Sequence, residues 1–211
     1  MDIKQLSGPI LVVEDFPNIL ELLEVALKFM GYPVVTATNG MEALEKIDRQ
    51  LPSLVVSDIL MPKLDGYALG HRLRMNPRTR HIPMIFLSAT YVTPEDQAFA
   101  LSLGGARFIE KPVDTGQFLD MVEEVLKSPP TQTSSLSTRE FIHGYRERLE
   151  SKLHYKNVQI TRTERLLETL PEDQKPAYQA LLAEARAQRD EIQNELDEVY
   201  RSLQRLNQTG Q

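Results

Sequence analysis

Five side chains in this 211-residue chain have the types needed to handle a phosphoryl group together: the acidic pair Glu14 and Asp15, the acid Asp58, the hydroxyl of Ser88 and the amine of Lys111. Three carboxylates held together repel one another and raise one another's pKa unless a cation joins them. Oxygen donors suit a hard divalent ion, and a partly hydrated Mg2+ fits a site built from a few carboxylates. With such an ion bound, an ionised oxygen of Asp58 is a nucleophile toward a phosphoryl donor. The metal and Lys111 then offset charge on the phosphoryl oxygens, and Ser88 donates a hydrogen bond to one of them. The set amounts to a phosphoryl-transfer site without a P-loop.

Residues so far apart in sequence need a scaffold to bring them together. The run ILVV at 10–13 reads as a buried strand, and Ile19, Leu20, Leu22, Leu23, Ala26, Leu27 and Met30 then recur at helical spacing until Gly31 stops them. The same strand-then-helix pattern returns with strands at 34–36, 54–56, 84–87 and 108–109, each followed by an amphipathic helix. Five such units within 1–127 predict a doubly wound α/β domain. Parallel strands need helical crossovers, and apolar runs without alternation need burial on both faces. In an open parallel sheet ligands gather outside the carboxyl ends of the strands. Those ends carry Glu14-Asp15, Asp58 and Ser88 and lead into Lys111, so one edge of the sheet collects all five.

At these positions the chain resembles bacterial response-regulator receiver domains. The segments LVVED at 11–15, DILMPKLDG at 58–66, SA at 88–89, GARF at 105–108 and KP at 111–112 look like that family's landmarks, in order, over roughly residues 8–127. The resemblance implies a flavodoxin-like five-stranded sheet of order 2-1-3-4-5. It also implies Mg2+ organised by Glu14 and Asp15, phosphorylation of Asp58, and a metal shell completed by the backbone carbonyl of Leu60. By the same resemblance Lys111 contacts the phosphoryl group, the Lys111–Pro112 bond is cis, Ser88 and Phe108 form a switch pair, and Leu60 and Thr90 border the path of hydrolytic water. The implied partner is a sensor histidine kinase or a phosphotransfer protein. Three departures are mild: Glu14 for the more frequent Asp, Ser88 for Thr, and an apolar Leu60.

From Ser128 the composition turns to Ser, Pro, Thr and Gln, which predicts a linker over 128–137. Ser137 with Glu140 matches a capping box, so a helix is expected to start near Thr138. Two long helical segments fill 138–211. In the second, Tyr178, Leu182, Ala185, Arg189, Ile192, Leu196, Val199, Leu203 and Leu206 alternate spacings of four and three, the signature of a coiled-coil seam. The first carries a patchier seam through Ile142, Arg146, Leu149, Leu153, Lys156, Ile160, Thr163, Leu167 and Leu170. The short turn between them, with Asp173 as the expected cap and Pro176 in the first turn, predicts an antiparallel hairpin. Seams of this length are expected to hold a homodimer.

Composition narrows the function. The net charge of -6 and pI near 5.3 argue against affinity won from nucleic-acid phosphates, and residues 138–211 hold 12 Lys and Arg against 13 Asp and Glu. No DNA-reading output is expected. The chain lacks cysteine and any apolar run of membrane length, so a cytoplasmic protein is expected. It is not expected to be an enzyme beyond promoting its own phosphorylation and dephosphorylation. Two other readings compete. The hairpin could serve as a phosphotransfer or kinase-like dimerisation module carrying a reactive His, but His143 and His154 lack the Glu/Asp and Pro flanks that such a box wants. A dehalogenase-type phosphohydrolase wants a second acid two residues past the nucleophile, where Leu60 stands.

Overall fold

A computed structural model describes residues 6–88, 94–128 and 136–209. It divides into two compact units between Leu136 and Ser137. In the first, β1 (Ile10–Val13), α1 (Pro17–Phe29), β2 (Val34–Ala37), α2 (Gly40–Arg49), β3 (Leu54–Asp58), α3 (Gly66–Met75), β4 (Met84–Ser88), α4 (Pro94–Ser102), β5 (Gly105–Glu110) and α5 (Thr115–Lys127) alternate along the chain. The strands form one parallel sheet in the order β2-β1-β3-β4-β5, the doubly wound topology expected from the sequence.

The three central strands are buried at every residue because each face has its own helical cover. Ile10, Val12, Leu54, Val56, Ile85 and Leu87 project to one side, where Leu23 and Leu27 of α1 and Phe118, Val122 and Val125 of α5 close over them. Alternate residues project to the other side. There the Phe86 ring lies 6.1 Å from that of Tyr67 on α3, which in turn stacks edge-on against Phe99 of α4 at 5.1 Å. Three helices of this unit start where side chains supply the missing acceptors. Asn39, Asp65 and Asp114 each accept from a backbone N–H three residues on, capping α2, α3 and α5.

The second unit is a pair of long helices, α6 (Thr138–Thr169) and α7 (Lys175–Thr209). The capping box is present: Ser137 accepts from the Glu140 N–H while the Glu140 carboxylate accepts from the Ser137 N–H. As positions rise along α6 their partners fall along α7, Tyr145 with Glu195, Lys156 with Gln188 and Glu164 with Arg186, so the helices run antiparallel. Leu182, Ala185, Leu196, Val199 and Leu203 of the α7 seam are buried as its spacing requires. The first turns of α6 correct the expected register. Phe141 and Tyr145 are the buried residues and stack at 5.1 Å, whereas Ile142 and Arg146 are only half-buried. Large rings shield more apolar surface than an Arg, whose charge stays near water. A second correction concerns the turn. Because α7 begins at Lys175, Gln174 and not Asp173 stands just before the helix. Most of the expected linker, 129–135, lies outside the described residues, as do Ala89 and Thr90.

Candidate functional site

The parallel sheet sends its carboxyl ends to one edge, and there the structure brings together residues that the sequence separates by up to 97 positions. Glu14 follows β1 directly and is fully buried, Asp58 closes β3 with 3% exposure, and Ser88 closes β4 with 6%. One oxygen each of Glu14, Asp15 and Asp58 lies within 4.8 Å of the others. Among the described residues this is the one such grouping of potential metal ligands, so His71, His81, His143 and His154 take part in none.

Lys111 arrives at the same edge from β5. Its backbone N–H donates to the Ser88 carbonyl at 2.6 Å, a link that fixes where the chain leaves the sheet, and the Lys111–Pro112 bond is cis. Its ammonium donates to Glu14 Oε2 at 2.8 Å and stands 3.1 Å from Asp58 Oδ1. The second contact lies off the line of a hydrogen bond. Asp58 Oδ1 and Asp15 Oδ1 are both buried, and neither receives a hydrogen bond of regular geometry. Glu14, by contrast, has both oxygens engaged, Oε1 by the Phe16 N–H at 3.3 Å. The Glu14–Lys111 pair has no signal in either local sequence, since only the folded sheet edge defines it.

Burial dominates the electrostatics. It pushes the Asp58 carboxyl up to about 7, with the Glu14 charge adding to the rise and Lys111 opposing it. Burial also raises Asp15. For Lys111 burial acts to lower the pKa, but the carboxylates of Asp58 and Glu14 outweigh it and the ammonium is held charged. Buried carboxyl oxygens without a regular hydrogen bond, beside a cation already shared with Glu14, form a donor set suited to a hard divalent ion that keeps part of its water shell.

The loop after Asp58 is built to hold that residue still. The Ile59 N–H donates to Leu87 O, the Gly66 N–H to Ile59 O, and Leu64 turns back through a γ-turn in which Lys63 has φ 68°. The Leu64 carbonyl then accepts from the Gly40 N–H at the start of α2. Leu60, two residues past Asp58, points its side chain outward with 44% exposure. Gly66 is a necessity here, because a Cβ on it would lie 2.2 Å from the Asp58 carbonyl oxygen. Gly66→Ala is expected to destabilise the domain by about 1–3 kcal/mol through overpacking, measurable as a lower urea midpoint. Asp65, read with Gly66 from the sequence as a structural turn, caps α3 through the Ala68 N–H at 2.9 Å.

Phe108 is half-buried and pairs in register with Phe86, which puts it on the sheet face shared by α3 and α4; Ser88 lies on that face two residues beyond Phe86. Behind it, the Arg74 guanidinium donates to the carbonyls of Arg80, Ile82, Leu103 and Gly104. Burial lowers its pKa to about 10. No spacing in the sequence marks Arg74. It matters because it ties the approach to β4 to the turn that enters β5.

Comparison with known proteins agrees with this fold. Residues 10–123 match the model of the response regulator receiver domain. An uncharacterized 14.6 kDa protein of Leptolyngbya boryana is 40% identical over 57% of this chain and 92% of its own length. The probable transcriptional regulator ycf27 of Pyropia yezoensis is 38% identical over 60% of this chain, and the response regulator PleD of Caulobacter vibrioides 37% over 52%. The chain spans 51% of the former and 24% of the latter. Among solved structures, a putative response regulator from Chloroflexus aurantiacus is 31% identical with a TM-score of 0.54, matching 57% of this chain and 98% of its own. The receiver domain of a histidine kinase from Syntrophus aciditrophicus is 36% identical with a TM-score of 0.53, over 62% and 98%. The chain belongs to the response regulator receiver domain family.

Proposed function

We propose that this receiver accepts a phosphoryl group on Asp58 and signals through protein contacts rather than through DNA. The observation that carries the proposal is Asp58 Oδ1, a buried carboxylate oxygen that receives no hydrogen bond of regular geometry, 3.1 Å from a charged lysine and grouped with two further acids. Asp15 and Asp58 would hold Mg2+ with their free oxygens, aided by the Leu60 carbonyl and by Glu14 once Lys111 lets it go. A bound Mg2+ supplies positive charge that keeps Asp58 ionised and neutralises phosphoryl oxygens. Asp58 attacks phosphorus, a carboxylate O–P bond forms, and the bond from phosphorus to the donor breaks with its electron pair leaving on the donor atom. Lys111 shifts from Glu14 toward the incoming oxygens, and Ser88 donates to one of them. As Ser88 moves, Phe108 turns inward on the same face, changing the surface made by α4, β5 and α5. Nothing in this scheme turns over an external substrate, so the reading is of a switch and not an enzyme.

The phosphodonor is a sensor histidine kinase or a phosphotransfer protein, acting in the cytoplasm. Support comes from α1, which leaves the site directly after Asp15. Leu22, Val25 and Phe29 stand out along it at helical spacing, Phe29 with 88% exposure, and apolar stripes of this kind mark protein contacts. Leu22→Lys is expected to slow phosphoryl transfer from a protein donor at least about tenfold, equivalent to about 1.4 kcal/mol. Phosphorylation by acetyl phosphate should be unchanged. The hairpin's near-balanced charge, 12 cationic against 13 acidic residues, supports an output made of protein contacts. A direct test uses beryllofluoride with Mg2+, which mimics an acyl phosphate. Wild type should bind it, seen as a new 19F resonance and a raised Tm, whereas binding by Asp58→Asn, or by wild type without Mg2+, would refute the reading.

A further inference from the structure

The hairpin's two flanks differ in charge, and its own ion pairs leave part of that difference unmatched. Four cross-helix bonds sort into two sets. Tyr145 with Glu195 and Lys156 with Gln188 lie on one flank; Glu150 with Tyr200 at 2.5 Å and Glu164 with Arg186 at 2.6 Å lie on the other. On the first flank the α6 row, stepping by four and three, runs Lys152, Tyr155, Gln159, Arg162, Leu166 and contains no acid. The facing row on α7 runs Leu181, Glu184, Gln188, Glu191, Glu195, Glu198 and contains no base. Tyr155, Leu166 and Leu181 are 54%, 49% and 57% exposed, so the flank is both charged and apolar at the surface. Arg162, Glu191 and Glu198 have no ion-pair partner among the described residues.

From this pattern we infer that the flank docks a second copy of the same hairpin, with α6 of one chain lying over α7 of the other. The bonds between α6 and α7 set the level: Lys156 lies level with Gln188 and Glu164 with Arg186. By that register Arg162 falls level with Glu184, Lys152 with Glu191, and Leu166 with Leu181. A two-fold axis running along the hairpin keeps each residue at its level and exchanges α6 for α7. Basic row then meets acidic row twice, and Leu166 of each chain meets Leu181 of its partner. A two-fold across the hairpin would set base on base and acid on acid, which costs free energy. The opposite flank is no rival, since its charges are already matched within the hairpin: Arg146 pairs with Glu150, Arg186 with Glu164 and Arg189 with Asp190. Helices of this length are about 50 Å long, and two side by side offer a face of roughly 1,000 Å2, above the roughly 800 Å2 per partner of a standard interface. The two-fold makes the contact self-complementary and closed, so assembly stops at the dimer.

The test needs no phosphorylation, so its outcome is independent of the role of Asp58. By sedimentation the full chain is expected to be a dimer that weakens as salt rises. Lys152→Glu with Arg162→Glu, and separately Glu184→Lys with Glu191→Lys, should each raise the dimer Kd at least about tenfold while circular dichroism shows helix content retained. Mixing the two variants should restore a dimer of one copy of each. Because the chain has no native cysteine, Leu166→Cys mixed with Leu181→Cys reports the arrangement: a disulfide-linked mixed pair is expected, in excess of either like pair. Reversal on the opposite flank, Glu147→Lys, should leave the dimer intact. A monomeric wild type, a dimer indifferent to both reversals, or crosslinking only between like cysteines would overturn the proposal.

Discussion

Replacing Asp58 by Asn is expected to make the metal-free domain more stable at neutral pH while abolishing its response to Mg2+. The cause is the carboxyl pushed up to about 7 by burial, against 3.8 for a free Asp. Below the ordinary value the group is protonated in both folded and unfolded chains and costs nothing. Between about 4 and 7 the unfolded chain ionises while the folded one keeps its proton, so stability falls with rising pH by about 1.4 kcal/mol per unit. Above 7 the loss is constant, on the order of 4 kcal/mol. Asn carries no such charge, so the variant's stability should stay level through that window where wild type declines. Mg2+ acts in the opposite direction on wild type, because a ligand bound only to the folded, ionised site stabilises it by mass action. Urea midpoints at pH 5, 6, 7 and 8, with Mg2+ and with EDTA, measure both effects. Equal pH slopes for the two proteins would contradict the assignment.

Removing the cation should do the reverse. Lys111→Met leaves Glu14, fully buried, and Asp58 without the ammonium that stands 2.8 Å and 3.1 Å from them. Breaking a buried pair strands an uncompensated charge, and a loss of about 3–5 kcal/mol is expected at pH 7.5. The loss should shrink as pH falls toward 5, where the Asp58 carboxyl takes up its proton, and should shrink again with Mg2+. In the Asp58→Asn background it should be smaller, because one of the two stranded acids is gone. A penalty that is the same at both pH values, and unmoved by Asp58→Asn, would mean that Lys111 acts through packing alone.

Much of the receiver could be read from sequence because its signals are local and mutually consistent. The run at Ile10–Val13 is buried on both faces, and the helix after it stops at Gly31, whose φ is 83°. The strand-end acids were legible because a parallel sheet has one rule about where its loops meet ligands. What sequence could not disclose were pairings made only in three dimensions. Glu14 was expected as a metal ligand, yet in the fold it is also the hydrogen-bonded partner of Lys111, 97 positions away. Arg74 carries no spacing signal, because its four partners are backbone carbonyls, which any sequence provides. At the start of α6 the register slipped by one because the heptad count placed Ile142 and Arg146 in the seam. Packing did not: the rings are buried and stacked, while the Arg keeps part of its surface in water.

Asp58 is the residue proposed to take the phosphoryl group. Incubating the full chain with acetyl phosphate and Mg2+, reducing the acyl phosphate with borohydride and mapping the modified peptide by mass spectrometry locates it directly. One modification is predicted, on Asp58, absent without Mg2+ and absent from Asp58→Asn. Label on His143 or His154, label retained by Asp58→Asn, or uptake indifferent to Mg2+ would contradict it.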